Sequence, residues 1–212
     1  KSIQELIEVL VKEFGKNEIS PHNARINMIK DFVGVTDKKL KKIEEKFGIQ
    51  TRMTNEEIVD ECQIIIIATK PQDLLEAIEP IAASFTSEHL VISLAAGLSL
   101  DALAEVIYEY NNLAKVMCNV AVRSRDAMMG YSLFKEGPGA ADTIEELFSP
   151  LGKIIEVDDG EAMSAFTVSS SAGIGFVLEL MQHWQDWLEG YHCSNIFGCG
   201  KTFFRKYEFK FL

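Results

Sequence analysis

The feature that most constrains this chain is Ile64–Ile67, four isoleucines in a row between Gln63 and Ala68-Thr69. An amphipathic helix would interrupt such a run with polar residues. A half-buried strand would alternate. A continuous β-branched run bounded by polar residues fits a parallel strand covered on both faces. Two further apolar segments follow at similar intervals, Leu90–Ala96 and Lys115–Val120. Between them lie helical patterns over Asp73–Ala83 and Leu100–Tyr110, the second capped by Ser99. Glu56–Glu61 is a short helix before the first run. Met128–Phe134, Asp142–Ser149 and Lys153–Val157 read as strand, helix and strand. Strands alternating with helices imply βαβ units with right-handed crossovers. The expected class is therefore α/β, a Rossmann-like, doubly wound, mainly parallel sheet.

The pattern changes beyond Asp159. Glu161–Leu188 carries almost no turn signal except the small-residue stretch Ser169-Ser170-Ser171-Ala172-Gly173. It reads as two helices joined or kinked there. A boundary near Gly160 divides residues 1–159, the dinucleotide-binding domain, from residues 160–212, the start of an all-α domain for dimerisation and substrate. At the other end, Ile3, Leu6, Ile7, Leu10, Val11 and Phe14 fall at helical spacing. An extended stretch lies within Ala24–Val35, and Thr36 caps a basic helix, Asp37–Phe47. The chain opens on Lys1 in the middle of a helical pattern, which suggests a processed or trimmed product.

Charge narrows the partners. Lys plus Arg is 21 and Asp plus Glu is 32, so the net charge is 21 − 32 = −11. Such a surface repels phosphate backbones and anionic lipid, so neither nucleic acid nor membrane is expected. No apolar run approaches the roughly 20 residues that span a bilayer, and no signal peptide is read. Reduced cysteines in the cytosol follow. Cys193, Cys199 and His192 match no common zinc spacing, and no second pair follows, so no metal is expected. Cys62 and Cys118 read as core residues.

In a parallel α/β sheet, ligands bind beyond the carboxyl ends of the strands. Ala68-Thr69-Lys70-Pro71 follows the first run, Ala95-Ala96-Gly97 the second, and Cys118-Asn119 the third. Small residues let a flat ligand approach the backbone. Lys70 offers a cation, and Asn119 a donor and an acceptor. Ordinary strand-end packing and a solvated lysine give the same pattern.

Taken in order, Ala68-Thr69-Lys70-Pro71-Gln72, Ser93-Leu94-Ala95-Ala96-Gly97, Val116-Met117-Cys118-Asn119 and Ser149-Pro150-Leu151-Gly152 resemble the pyrroline-5-carboxylate reductases. There the first three segments read A-V-K-P, S-x-A-A-G and R-x-M-x-N-x-P. The resemblance runs from about Asn55 to Phe176. Thr167, Ser170 and Gly173 fall on that family's T-x-L-S-G-S-G-P-A-Y signature, and Phe176 on its Tyr. It implies hydride transfer from NADPH or NADH to the C=N carbon of 1-pyrroline-5-carboxylate, giving proline. It also implies a homodimer or higher homo-oligomer. Carried over by position, Asn55, Ala68, Thr69, Lys70, Pro71, Ala95, Ala96 and Gly97 would meet the cofactor. Asn119, Ser170 and Gly173 would meet the substrate. No catalytic acid or base is assigned.

The family's G-x-G-x-x-G loop is not in this sequence, the proline of N-x-P is replaced in Asn119-Val120-Ala121, and Ser171-Ala172-Gly173-Ile174 replaces G-S-G-P. A silent homologue used for protein association, a fragment of an active enzyme, and another NADP-linked dehydrogenase of the same fold remain as alternatives. Lys38, Lys39, Lys41 and Lys42 would suit a 2′-phosphate or a solvated face. His183, Trp184 and Trp187 read as packing. Asp158, Asp159 and Glu161 read as the cap and dipole partners of the helix that follows them.

Overall fold

The computed structural model describes residues 26–29, 45, 54–107, 112–135 and 139–190, with side chains described at 45, 54–107, 112–135 and 139–187. The opening amphipathic helix, the basic helix over Asp37–Phe47 apart from Glu45, the Cys193/Cys199 pair and the aromatic tail lie outside them. The chain forms two compact units, Lys1–Ser171 and Ala172–Leu212.

In the first unit the elements run β1 (Ile26–Ile29), α1 (Asn55–Glu61), β2 (Ile64–Ile67), α2 (Leu74–Ile78), β3 (Leu90–Ser93), α3 (Leu100–Val106), β4 (Leu113–Cys118), β5 (Ala127–Leu133), α4 (Ala140–Phe148), β6 (Gly152–Glu156) and α5 (Glu161–Thr167). The six strands form one sheet in the order β1-β2-β3-β4-β5-β6. All pairings are parallel except β4 with β5. The mainly parallel, Rossmann-like class is borne out.

The isoleucine run behaves as a doubly covered strand must. Ile65, Ile66 and Ile67 are fully buried. Ile66 joins Ile92, Val116, Tyr131 and the α4 residues Ile144, Leu147 and Phe148 on one face. Ile67 and Val91 meet Leu74 and Ile78 of α2 and Leu100 and Leu103 of α3 on the other. Ile65 packs there too, with Ile58 and Val59 of α1. Side chains alternate along a strand, so neighbouring isoleucines feed opposite cores.

Two elements differ from the sequence reading. Asp73–Ala83 is not one helix: α2 ends at Ile78, and a 3-10 segment, Glu79–Ser84, follows. Pro80 is the cause, since it has no N–H to continue the ladder and its ring crowds the carbonyl four residues back. The first unit also extends past Gly160 to Ser171, because α5 packs back on the sheet, its Phe166 ring lying over Gly130.

The kink expected near Ser170 is present as a π-turn, Val168–Ala172. In the second unit, α6 (Gly173–Gly190) exposes Phe176, Val177, Leu180, Trp184 and Trp187. By length and composition alone, Glu161–Trp187 is long and apolar enough to cross a membrane. This corrects the expectation that no segment comes near that limit. Serines, threonines and glycines break the apolar run without making the helix strongly polar.

Candidate functional site

Three adjacent strand ends build one edge. Ile67 pairs with Ser93, and the Leu94 N–H donates to the Ile67 carbonyl at 3.0 Å. Ser93 pairs with Lys115, and β4 runs on to Cys118. β2, β3 and β4 are parallel, so Lys70, Ala96 and Asn119 all follow strands that finish at the same edge of the sheet. This is the arrangement that binding at the carboxyl ends requires.

Beyond β2, Ala68 and Thr69 are buried while Lys70 and Pro71 are exposed. Pro71 opens a 3-10 turn, and the Asp73 N–H donates to the Lys70 carbonyl. The Thr69 hydroxyl is buried without a hydrogen-bond partner. A buried hydroxyl in that state is costly, and a ligand oxygen or nitrogen at the edge would relieve it.

Beyond β3, the Ser93 hydroxyl accepts the Ala95 N–H at 3.3 Å and turns the chain. Ala95 is fully buried, whereas Ala96 and Gly97 are exposed. Gly97 has φ +76°, and a Cβ there would meet nothing within 4 Å. The glycine therefore serves the left-handed turn and leaves open space over it.

Beyond β4, Asn119 is 5% exposed and its side chain is largely committed. Its Oδ1 accepts the N–H groups of Ala121 at 3.2 Å and Met128 at 3.4 Å. Its Nδ2 donates to the Ser170 carbonyl at 3.1 Å. An amide carries two N–H hydrogens, so one remains for a ligand. The Ser170 hydroxyl is buried and, like that of Thr69, has no partner. Burial pushes the Cys118 thiol up to about 12, so it stays protonated and is no nucleophile.

Asn55 stands apart from the three strand ends in its bonding: it opens α1 and its Nδ2 donates to the Ala77 carbonyl at 3.2 Å. Gly173 opens α6 in the second unit. Asp159 caps a helix, as the acidic cluster suggests, but not its own. Its Oδ2 accepts the Leu100 N–H at 2.7 Å, at the start of α3, while α5 has no side-chain cap. Sequence reasoning misses its partner, Lys115, whose signal is a lysine inside an apolar strand. Among the described residues no cluster of His, Cys, Asp and Glu could hold a metal ion.

Sheet, helices and edge together define a Rossmann-type fold of the NAD(P)-binding kind. Comparison with known proteins specifies it further. The family model described as NADP oxidoreductase, coenzyme F420-dependent, matches residues 8–97. The pyrroline-5-carboxylate reductase of Methanosarcina acetivorans is 32% identical over 148 residues, covering 69% of this chain and 54% of that protein. Pyrroline-5-carboxylate reductase 3 of Xenopus laevis is 27% identical over 163 residues, covering 76% and 57%. Among solved structures, a pyrroline-5-carboxylate reductase from Coxiella burnetii shares the fold with a TM-score of 0.74 at 18% identity, covering 88% of this chain and 67% of that one. The Plasmodium falciparum pyrroline carboxylate reductase with NADP bound matches at TM-score 0.58 and 25% identity, covering 64% and 51%. The chain is related to the pyrroline-5-carboxylate reductase family, as the motif resemblance implies. It spans about half the length of the curated relatives it matches.

Proposed function

We propose that this chain carries the cofactor face of a pyrroline-5-carboxylate reductase-like enzyme, with NADPH or NADH as hydride donor and a cyclic imine carboxylate as substrate. One observation supports this above the others: the three strand ends that resemble the family motifs lie side by side at one edge. The bound nicotinamide would supply the hydride to the C=N carbon, which gives the amine of proline once the nitrogen holds a proton. The chain's own residues bind and orient. Ala68–Pro71 flank the cofactor, the unpartnered Thr69 hydroxyl offering it a hydrogen bond. Ala95 and Ala96 form the floor under the ring, and Gly97 keeps it open. Asn119 reaches the reacting ring with its remaining N–H. Ser170 and Asn55 take the roles that the resemblance assigns them, toward the substrate carboxylate and the adenosine end.

The proposal extends to assembly and place. A helix apolar on most sides is normally covered. We assign a second copy of the chain as the cover of α6. We place the chain in a reducing, cytosolic setting, which the free thiol of Cys118 fits.

NADPH titration followed by fluorescence tests the reading directly. Saturable binding in the micromolar range, on the usual scale for such ligands, supports it. No binding at millimolar cofactor would overturn it. Oxidation of NADPH that depends on 1-pyrroline-5-carboxylate then decides the substrate.

A further inference from the structure

Lys115 stands between Ala114 and Val116 in the middle of β4, and its side chain is only 7% exposed. A buried ammonium must be compensated. Its Nζ donates to the Leu98 carbonyl at 2.6 Å and lies 3.6 Å from Asp159 Oδ1. The other carboxylate oxygen of Asp159 accepts the Leu100 N–H at 2.7 Å. One ion pair thus grips the two peptide groups on either side of Ser99. Ser99 is held again from within α3, its hydroxyl accepting the Ala102 N–H at 3.2 Å.

The chain entering this grip is the exposed turn Ala96-Gly97, with buried Ala95 before it. Fixing Leu98 and Leu100 fixes where that turn stands above the ends of β3 and β4. Asp159 belongs to the link between β6 and α5. The same pair therefore ties the turn to the start of α5. Beyond α5, Ser170 holds Asn119.

We infer that Lys115 and Asp159 are positioning residues for the Ala95–Gly97 turn, acting through the Leu98 carbonyl and the Leu100 amide. The inference rests on the reading of that turn as the floor under the nicotinamide. A buried ion pair contributes little net stability, because desolvation offsets attraction. Its directional bonds fix geometry instead, and hydride transfer is sensitive to geometry at the ångström scale.

The test uses the full chain and four variants: Lys115→Arg, Lys115→Met, Asp159→Asn and the double Lys115→Met/Asp159→Asn. The double variant leaves no lone buried charge, so it is the one expected to fold. Two readouts are taken: amide hydrogen exchange over 98–102 relative to Ile65–Ile67, and steady-state kinetics with NADPH and 1-pyrroline-5-carboxylate. The double variant should exchange over 98–102 about tenfold faster, and kcat should fall about tenfold with a smaller change in the KM for NADPH, as expected for misplacement. Lys115→Arg should restore both. A folded double variant with unchanged exchange over 98–102 and unchanged kcat, whatever its melting temperature, would overturn the inference. If the unmutated chain fails to bind NADPH, the reductase reading falls, and the exchange data alone decide whether the pair holds the turn.

Discussion

The side-chain amide of Asn119, at the end of β4, donates to the main-chain carbonyl of Ser170 across 3.1 Å. The two are 51 residues apart in sequence. The bond joins the edge of the sheet to the π-turn after α5. It also turns the amide so that Oδ1 receives Ala121 and Met128. A side chain expected to serve a ligand is thus first a structural node.

Asn119→Asp keeps the shape and both acceptor roles but replaces the donor with an oxygen facing a carbonyl. It should cost about 1–3 kcal/mol, the penalty for an unmet buried polar group. Urea unfolding monitored by circular dichroism measures this. An unchanged midpoint would contradict the role assigned to the Ser170 bond.

Gly130 sits under an aromatic ring. A Cβ built there would lie 2.8 Å from Phe166 Cε1. Gly130→Val should therefore displace α5 and destabilise the fold by about 1–3 kcal/mol, as overpacking does. Phe166→Leu in the same chain should recover part of the loss. Thermal melts of the single and double variants decide it, and strict additivity would argue against direct contact.

His89 carries a pH dependence. Burial holds its imidazole below the usual range, more than offsetting the Val59 carbonyl and the charges of Asp60 and Glu88, which pull the other way. Its Nδ1 accepts the Thr86 N–H at 2.9 Å, a bond that only the neutral ring can accept. The folded form therefore binds its proton later than the unfolded form does. The stability that depends on the neutral ring is complete above the unfolded value of about 6.5 and declines as pH falls below it. Denaturation midpoints between pH 7.5 and 5 should drop, and His89→Gln should flatten that slope. A slope that survives the substitution would assign it elsewhere.

On α6, Leu180 is 65% exposed and Phe176 68%. If a second copy covers them, light scattering should give a dimer or larger species at micromolar concentration. Leu180→Glu should shift it toward the monomer with helicity retained. A monodisperse monomer before mutation would refute the assigned cover.

Much of the sheet is legible in the sequence because burial on both faces leaves a continuous apolar signature. Ile64–Ile67 could hardly be anything else, and β3, β5 and β6 end within a few residues of their expected limits. The edge is legible because parallel strands deliver their carboxyl ends together. What escapes is tertiary. Pro80 marks a break in the helix after β2, yet periodicity runs through it. The Lys115–Asp159 pair joins residues 44 apart in number (159 − 115), and no local pattern announces such a partner. Asp159 reads as a cap for the nearest helix, whereas folding hands it to α3.

Gly152 begins β6 with φ +147°, and a Cβ there would collide with the Ala127 carbonyl oxygen and amide nitrogen. That clash is with main chain, which cannot swing aside as a side-chain tip does. In a library randomised at this codon and selected for folding, glycine alone should survive. Position 152 thus acts as a seam where the last strand is stitched on, closed to every other residue.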